Sequence, residues 1–310
     1  MQSKASTIVV LGTGGTIAGT SADVGDNVGY SAAQLSVAQL LRAIPGLGDT
    51  PLEVEQVAQL DSKDMSHAVW NALARRCAHH LARPDVAGVV VTHGTDTLEE
   101  TAWFLQRVLA PTKPLVLTGA MRPATALQAD GPQNLLDAVR VARSPGACGV
   151  VAVLAGQVHG ARDVRKVHPY RVNAFSSGDA GAIACIEEGD VRLFRSWPQS
   201  ETVGLDALPA DASAWPRVEI VASHAGAGGA VVQALCAAGV HGLVVAATGN
   251  GTLHRDLEAA LLEAQASGVR VLRSTRCGDG RVLLTPGDAL PAADGLPPGK
   301  ARVELMLQLL

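Results

Sequence analysis

The run Gly88-Val-Val-Val-Thr-His-Gly-Thr-Asp-Thr-Leu-Glu-Glu-Thr-Ala102 decides the fold class of this chain. It opens with a short apolar stretch that ends at Thr92, passes through a polar turn and continues from Leu98 with helical periodicity. A buried strand that leads through a short turn into an amphipathic helix is the repeating unit of α/β folds. We therefore expect a βα unit here, with the polar turn at the carboxyl end of its strand.

The same alternation of apolar strands and helical patterns extends along most of the chain. Further strands are predicted at Thr7–Leu11, Val54–Leu60, Leu115–Thr118, Gly149–Leu154, Val218–Ala222, Leu243–Ala247 and Val269–Ser274. Helices are predicted at Ala32–Ala43, Met65–Leu81, Leu98–Leu109, Asn134–Ala142, Gly229–Ala238, His254–Ala266 and Gly299–Leu309. The alternation predicts mostly parallel sheets, whose ligands bind beyond the carboxyl ends of the strands.

One segment interrupts this alternation and predicts two domains. It contains Trp197-Pro198 and Trp215-Pro216 and has no sustained period, as is typical of a connection between domains. We expect an α/β protein with a larger N-terminal domain at 1–192, built on a mostly parallel, doubly wound sheet. A linker at 193–216 then leads to a smaller C-terminal α/β domain at 217–310. The length of 310 residues, about twice that of a typical domain, agrees with this division.

Composition excludes several classes of protein. Lys plus Arg total 25 and Asp plus Glu total 29, so the net charge of −4 offers no broad footprint for nucleic acid or an anionic membrane. The five cysteines are scattered and form no C-x-x-C pair, which argues against a disulfide framework and a zinc site. The N-terminal apolar run is too short for a signal peptide, and no stretch has the length of a membrane span. We expect a cytoplasmic protein without a bound metal.

Two predicted strands end in turns that carry a threonine. The first is Leu11-Gly-Thr-Gly-Gly-Thr-Ile-Ala-Gly19, where Ile17 stands in place of the third glycine of G-x-G-x-x-G. No G-K-[S/T] follows either, so the run is not a nucleotide-binding loop. What remains is the hydroxyl of Thr16 in a glycine-rich turn, and this run alone favours an ordinary tight turn over a site residue.

The second threonine turn is at Thr95 and Asp96. Thr97 and Glu100 have the spacing of a capping box, which predicts a helix that starts at Thr97. The free amide groups at the start of that helix suit the carboxylate of a zwitterion, and Asp96 suits its ammonium group. In the alternative interpretation Asp96 only adds to the helix cap. His93, which adjoins this turn, is expected to order it structurally.

Two further turns follow the same layout. Asp61-Ser-Lys-Asp64 and Thr118-Gly-Ala-Met-Arg-Pro123 each come directly after a predicted strand. Because the carboxyl ends of parallel strands lie at one edge of a sheet, the four turns predict a small, polar pocket there.

Six runs of this sequence resemble the bacterial-type L-asparaginase family, whose members hydrolyse asparagine and sometimes glutamine. They are T-G-G-T-I-A-G (Thr13–Gly19), V-T-H-G-T-D-T-L-E-E-T-A (Val91–Ala102), T-G-A-M-R-P (Thr118–Pro123), A-D-G-P-x-N-L (Ala129–Leu135), G-A-R-D-V-x-K (Gly160–Lys166) and G-N-G-T-L (Gly249–Leu253). The runs occur in family order and cover nearly the whole chain. The resemblance implies a small-molecule amide substrate, L-asparagine with L-glutamine as a second candidate, and a reaction that needs no cofactor.

The resemblance also implies catalytic roles. Thr16 would be the nucleophile that forms a β-aspartyl acyl-enzyme, and Tyr30, on the loop Thr20–Ser31, would close over the substrate and activate it. Thr95 and Lys166 would complete a second polar triad with Asp96. In the alternative interpretation, Tyr30 is only a structural anchor that pins its loop. Two observations favour the functional role: Tyr30 lies on a Gly- and Asp-rich loop that follows Thr16, and the chain has only two tyrosines.

Binding roles follow from the same resemblance. Ser62 and the turn around Asp61 would hold the α-carboxylate of the substrate, and Asp96 its α-ammonium group. Ala120, in the T-G-A-M-R-P turn, would line the substrate. Asn250 matches a position that reaches the site of a neighbouring subunit, because family members are homotetramers built as dimers of intimate dimers.

Two departures from the family pattern bear on activity. Lys63 stands where relatives with strong glutaminase activity have Gln, which predicts a preference for asparagine over glutamine. In addition, no Glu occurs between Arg276 and Arg302, where secreted relatives have one that supports the lid tyrosine. Asp279 and Asp288 are the available substitutes, but both also suit turns.

Two other functions compete with an amidohydrolase. The first is an ammonia-supplying subunit of a tRNA-dependent amidotransferase, which would carry a domain before Thr13 and a basic surface, and neither is found in this sequence. The second is a catalytically weak amino-acid binding or sensing protein on the same scaffold. The intact set of Thr16, Thr95, Asp96 and Lys166 argues against it, and the missing Glu argues for it.

Overall fold

The computed structural model of the chain describes residues 6–42, 44–47 and 50–310. The chain divides between Leu205 and Asp206 into two compact units. The domain boundaries expected from the sequence, at 192/193 and 216/217, stay predictions.

The N-terminal unit is built on a mostly parallel sheet of eight strands, in the order β10-β9-β6-β5-β4-β3-β1-β2. These strands are β1 (Thr7–Gly14), β2 (Leu52–Leu60), β3 (Val86–Thr92), β4 (Pro114–Thr118), β5 (Gly149–Leu154), β6 (Gln157–Gly160), β9 (Ala184–Glu187) and β10 (Asp190–Leu193). Strands β1 to β5 are parallel, and the other three are antiparallel to their neighbours. β7 (Arg165–Lys166) and β8 (Phe175–Ser176) form a separate antiparallel pair.

Helices lie against this sheet because its central parallel strands, β1 and β3 to β5, are apolar and buried on both faces. They are α1 (Val37–Arg42), α2 (His67–Leu81), α3 (Leu98–Leu109) and α4 (Gly131–Ala142). All four residues from Ile8 to Leu11 are fully buried, as expected for a strand covered on both sides. Small aliphatic side chains of α1 and α4 pack against alternate residues of the central strands, and α2 and α3 pack on β2, β3 and β5.

The C-terminal unit is a smaller α/β unit with its own sheet. Strands β11 (Val218–Ala222), β12 (Gly242–Ala247) and β13 (Arg270–Thr275) are parallel and adjacent in that order. α5 (Ala230–Ala237) and α6 (Arg255–Ala266) pack with β11, β12 and β13 in one apolar cluster, and α7 (Pro298–Gln308) contacts the three strands as well. The predicted fold class, a large mostly parallel α/β unit followed by a smaller one, is confirmed.

The helix expected at Ala32–Ala43 is shorter than predicted. Its described part is α1, and Ala43 lies outside the described residues. The backbone N–H of Ala33 donates to the carbonyl of Gly15 and that of Leu35 donates to the carbonyl of Ala18. Ala33 also has φ of +56°, in the left-handed region, so a right-handed helix cannot run through it.

Several strands were not predicted from the sequence. They are the short strands β6 to β10, which fall between the predicted strand at Gly149–Leu154 and the predicted linker. None is longer than four residues, so no period is long enough to recognise, and pairing with neighbouring strands determines them. Strand β10 extends to Leu193, so the first residue of the predicted linker belongs to the sheet.

The sequence predicted no membrane span and no metal site. In the described ranges, every helix is too short or too polar to cross a bilayer. The same ranges contain no group of three or more His, Cys, Asp or Glu side chains arranged to hold a metal ion.

Candidate active site

Four turns at the carboxyl edge of the large sheet form the candidate site. They follow β2, β1, β3 and β4, which are neighbours in that order, so their turns lie side by side. These are the turns that the sequence singled out around Ser62, Thr16, Thr95 and Ala120.

Thr16 lies in the turn after β1 and contacts the hydroxyl of Tyr30. Strand β1 ends at Gly14, and a single 3-10 turn, Thr16–Ala18, follows. Thr16 is buried, and its Oγ1 lies 2.6 Å from Oη of Tyr30, with either atom able to donate. A short hydrogen bond of this kind is the arrangement in which a proton can pass between two hydroxyl groups.

The loop that carries Tyr30 is closed at its base and ordered inside. Thr20 and Ser31 pair through two backbone hydrogen bonds of 2.9 Å. Within the loop the carboxylate of Asp26 accepts the N–H groups of Gly29 and Val28, at 2.7 and 2.9 Å. These bonds stabilise the charged carboxylate and lower the pKa of Asp26. Tyr30 is therefore presented to Thr16 by a loop with defined turns.

Lys166 joins Thr95 and Asp96 into a second cluster. Its Nζ donates to Oγ1 of Thr95 at 2.8 Å and to Oδ1 of Asp96 at 2.6 Å. Thr95 is buried, whereas the Asp96 side chain is 56% exposed and open to a ligand. The cluster therefore combines a buried hydroxyl, a cation and an accessible carboxylate.

The turns after β2 and β3 are bonded to each other through Ser62. Oγ of Ser62 accepts the backbone N–H of Asp96 at 3.2 Å, and its carbonyl accepts the hydroxyl of Thr97 at 2.8 Å. α3 starts at Leu98 with Thr97 as its N-cap, where the capping-box spacing places it, and the carbonyl of Thr97 accepts the N–H of Thr101 at 3.0 Å. The Thr97 hydroxyl makes no capping bond, because it donates to Ser62 and so links the two turns.

Two glycines let the turns approach to backbone contact. Gly15 has φ of +83°, and a Cβ there would overlap the backbone of Gly94. A Cβ on Gly94 would in turn lie 2.5 Å from Oγ of Ser62. Side chains are thus excluded where the turns after β1, β2 and β3 meet.

His93 is a structural part of the turn after β3, as expected. The side chain is fully buried, which lowers the pKa of His93 to about 4 and keeps the ring neutral. Its Nδ1 lies 2.7 Å from the carbonyl of Gly94, and its Nε2 lies 2.9 Å from Oγ1 of Thr101. Oγ1 of Thr101 also accepts the indole N–H of Trp70 at 2.8 Å. The ring therefore donates to Gly94 and accepts from Thr101, and it holds the turn in place.

Asp130 and Asn134 shape the turn that contains Ala120, and the sequence assigned them no role. The carboxylate of Asp130 accepts the backbone N–H groups of Met121 and Arg122, each at 2.9 Å. The amide of Asn134 donates to the carbonyl of Gly119 at 3.0 Å. Both residues belong to the A-D-G-P-x-N-L run, so the motif itself was the available signal. Ala120 is fully buried in this turn.

Glu99 is a third residue to which the sequence assigned no role. Its Oε2 accepts the backbone N–H of Lys166 at 2.5 Å. Glu99 lies in the first turn of α3, three residues after Asp96. It therefore holds the backbone of Lys166 next to the carboxylate that the Lys166 ammonium group binds.

Lys63 lies at the rim of the site and is paired with Asp61. Its Nζ lies 2.9 Å from Oδ2 of Asp61, and the side chain is 66% exposed. The hydrogen bond to Asp61 and the nearby charges of Asp61, Asp64 and Asp96 raise the pKa of Lys63. The lysine thus adds a stable positive charge to a rim that is otherwise acidic.

Asn250 lies in the C-terminal unit, in the turn after β12. Its amide pairs with the backbone of Leu283, donating to the carbonyl at 3.0 Å and accepting the N–H at 2.7 Å. Asp288, one of the two acids considered in place of the missing Glu, contacts Nη2 of Arg273 at 3.0 Å and accepts the N–H of Thr285 at 2.7 Å. Asp288 is therefore engaged within its own unit.

Comparison with known proteins links both units to one family. The family model for the asparaginase N-terminal domain matches residues 7–199, and that for the glutaminase/asparaginase C-terminal domain matches residues 217–310. The chain is 37% identical to L-asparaginase 2 of Bacillus subtilis over 310 residues, which cover 97% of this chain and 82% of that protein. It is 35% identical to a glutaminase-asparaginase of Pseudomonas fluorescens over 317 residues, or 99% and 87% of the two chains.

A solved structure agrees with the sequence comparisons. The crystal structure of a probable cytoplasmic L-asparaginase from Campylobacter jejuni superimposes with a TM-score of 0.91 at 38% sequence identity. The superposition covers 98% of this chain and 95% of that one.

Proposed function

The chain belongs to the asparaginase family and is an asparaginase, and we propose that Thr16 is the nucleophile with which it converts L-asparagine to L-aspartate and ammonia. The observation that carries this proposal is the 2.6 Å contact between the hydroxyls of Thr16 and Tyr30. A threonine hydroxyl is a weak nucleophile unless a group within hydrogen-bond reach takes its proton. Tyr30 is such a group.

In the first half of the reaction, Oγ1 of Thr16 attacks the carbon of the side-chain amide. The hydroxyl proton passes to Oη of Tyr30, and the departing amide nitrogen takes up a proton from the same group and leaves as ammonia. The carbonyl carbon is then bound to Thr16 as a β-aspartyl ester. Backbone N–H groups of the glycine-rich turns supply donors for the oxyanion.

In the second half, the oxygen of a water molecule bonds to the ester carbon, the bond from that carbon to Oγ1 of Thr16 breaks, a proton of the water returns to Oγ1, and L-aspartate is released. The ammonium group of Lys166 is hydrogen-bonded to the hydroxyl of Thr95 and lowers the cost of negative charge on that oxygen. Thr95 therefore assists the attack of water, and Asp96 remains free on its exposed side for the α-ammonium group of the substrate. Ser62 and the turn at Asp61 bind the α-carboxylate, and the buried turn at Ala120 lines the substrate amide.

The proposal is tested by ammonia release from L-asparagine by the purified wild type, Thr16→Ala and Thr16→Ser. Loss of the nucleophile and its proton transfer is expected to lower kcat by about 10² to 10⁴-fold or more in the alanine variant. The serine variant keeps a hydroxyl and retains measurable activity. Asparagine binding without turnover by the wild type would instead support an amino-acid sensor, and full activity of Thr16→Ala would exclude Thr16 as the nucleophile.

Substrate preference is proposed from the rim of the site. The positive charge of Lys63 lies close to Asp61 and Asp96, where the charged α-groups of the substrate would bind. L-asparagine is therefore the preferred substrate and L-glutamine the poorer one.

Assembly and location complete the proposal. The chain forms a homo-oligomer of intimate dimers in which Asn250 reaches the site of a neighbouring subunit. The support is the match of G-N-G-T-L at Gly249–Leu253 to the family pattern. The cytoplasm is the proposed location, in line with the probable cytoplasmic L-asparaginase of Campylobacter jejuni, and fractionation of the native cells decides it.

A further inference from the structure

Tyr170, the second tyrosine of the chain, takes no part in the reaction proposed above. It lies on the hairpin whose first strand is β7 and whose second is β8, and it follows Lys166 by four residues. The residue is 46% exposed, so burial in the core does not explain its place. The contacts of this residue lead instead to the turn that contains Ala120.

Arg122 makes two contacts with Tyr170. Its guanidinium carbon lies 4.1 Å from the centre of the Tyr170 ring, within the range of a cation–π contact. In addition, its Nη1 donates to the carbonyl of Tyr170 at 3.0 Å. The backbone of Arg122 is itself fixed, because its N–H donates to Asp130 at 2.9 Å. These two contacts therefore join the hairpin to a turn of the site that is itself fixed by hydrogen bonds.

The hairpin tip is stiff enough to transmit this contact to Lys166. Nδ1 of His168 accepts the backbone N–H groups of Tyr170 and Arg171, each at 3.0 Å. At the other end of the segment, Glu99 holds the backbone N–H of Lys166. The segment between Lys166 and Tyr170 is thus held from α3 at its start and from the Ala120 turn at its tip.

We propose that Arg122 and Tyr170 form a clamp that positions Lys166 between Thr95 and Asp96. Neither residue is catalytic, and both act through the lysine. The Lys166 ammonium group must reach two oxygens on a different turn, at 2.8 and 2.6 Å, so a small shift of its backbone breaks one of these contacts. The inference deepens the proposed function and rests on it for the role of Lys166.

The first test measures the position of Lys166 without using enzymatic activity. Full-length wild type, Tyr170→Ala, Tyr170→Phe and Arg122→Met are treated briefly with an amine-acylating ester, and modification of Lys166 is measured by peptide mass spectrometry. Lys113, which donates to the carbonyl of Arg83, serves as the internal reference. Modification of Lys166 is expected to rise several-fold in Tyr170→Ala and Arg122→Met and to stay at the wild-type level in Tyr170→Phe. Equal modification in all four proteins would overturn the clamp.

The second test measures kcat and KM for L-asparagine. A misplaced Lys166 is expected to lower kcat by about ten- to a hundredfold in Tyr170→Ala and in Arg122→Met. The double variant is expected to be no worse than the poorer single variant, because the two residues act as one unit. Tyr170→Phe keeps both the ring face and the carbonyl, so it should retain the wild-type kcat. Thermal midpoints confirm folding, and Tyr170→Leu replaces any alanine variant that fails to fold.

The two tests separate this inference from the proposed function. Losses that multiply in the double variant, or a phenylalanine variant as poor as the alanine variant, would contradict the clamp. Full activity of Lys166→Met would contradict the proposed role of Lys166, while the modification experiment would still decide whether Arg122 and Tyr170 position it.

Discussion

Thr16 and Thr95 both follow parallel strands, and their side chains have chemically different partners. Thr16 is bonded to the phenol of Tyr30, which can accept a proton and return it. Thr95 is bonded to an ammonium group that also binds Asp96 and that has no lone pair to accept a proton. These partners support the proposal that Thr16 makes the nucleophilic attack with proton transfer and that Thr95 gives electrostatic support to the second step.

Lys63→Gln tests the residue that sets the charge at the rim. Removing the cation from beside Asp61 is expected to lower the ratio of kcat/KM for L-asparagine to that for L-glutamine by about two- to fivefold, the effect of one exposed charge pair. Both constants are measured with purified protein. Lys113→Gln is the matched control, since it also removes one lysine and should leave the ratio unchanged. Comparable kcat/KM values for the two amides in the wild type would contradict the preference itself.

At the scale of the element, the predictable parts are those with a long period or a turn of recognisable chemistry. Apolar runs predicted strands at Gly88–Thr92 and Gly149–Leu154, and a periodic pattern predicted a helix at Leu98–Leu109. The structure contains all three elements. The hairpin of β7 and β8 was not predictable, because two-residue strands have no period and exist through pairing alone.

The same distinction between local patterns and long-range contacts applies to the candidate site. The sequence drew attention to Thr16 and Thr95 because each lies in a glycine-containing turn directly after an apolar strand, and the family resemblance then implied their roles. It did not reveal that Glu99 holds Lys166, or that Arg122 contacts Tyr170, since these partners are 67 and 48 residues apart. Contacts between distant segments depend on the tertiary fold and leave no local pattern.

Thr97→Val tests the link between the turn after β2 and the start of α3. The variant keeps the shape of the side chain and removes the hydroxyl that donates to the carbonyl of Ser62. Loss of one hydrogen bond, about 1 kcal/mol, is expected to raise KM for L-asparagine by about fivefold with little change in kcat, because Ser62 is proposed to bind substrate. Thr97→Ser retains the hydroxyl and should behave as the wild type. A fall in kcat at constant KM would show that the link serves the chemical step instead.

At the scale of the whole molecule, the sequence predicted the order and the class of the two units from the alternation of strands and helices. The alternation of strands and helices does not predict how subunits assemble. The residue proposed to act across subunits is Asn250. Its amide is bonded to the backbone of Leu283 in the same unit, which gives the turn a fixed shape. That shape is what a neighbouring subunit would meet.

Co-expression of Thr16→Ala with Asn250→Ala tests sites shared between subunits. If each site combines Thr16 of one subunit with Asn250 of another, mixed dimers regain one intact site, and a random mixture should reach about a quarter of wild-type activity. The control mixture is Thr16→Ala with Lys166→Ala, whose defects fall in the same subunit's site and cannot complement each other. Activity of the first mixture no higher than the mean of its two parent variants would contradict a shared site.

The contact between Gly15 and Gly94 has a consequence for how this enzyme can evolve. Where side chains set the distance between two catalytic groups, repacking can adjust that distance in small steps. Here two segments of main chain touch, so a side chain on Gly15 would overlap the backbone of Gly94, which no change of rotamer can move away. Changes in substrate range are therefore expected to accumulate on the Tyr30 loop and at the rim around Lys63, while the spacing of the two threonine turns is inherited unchanged.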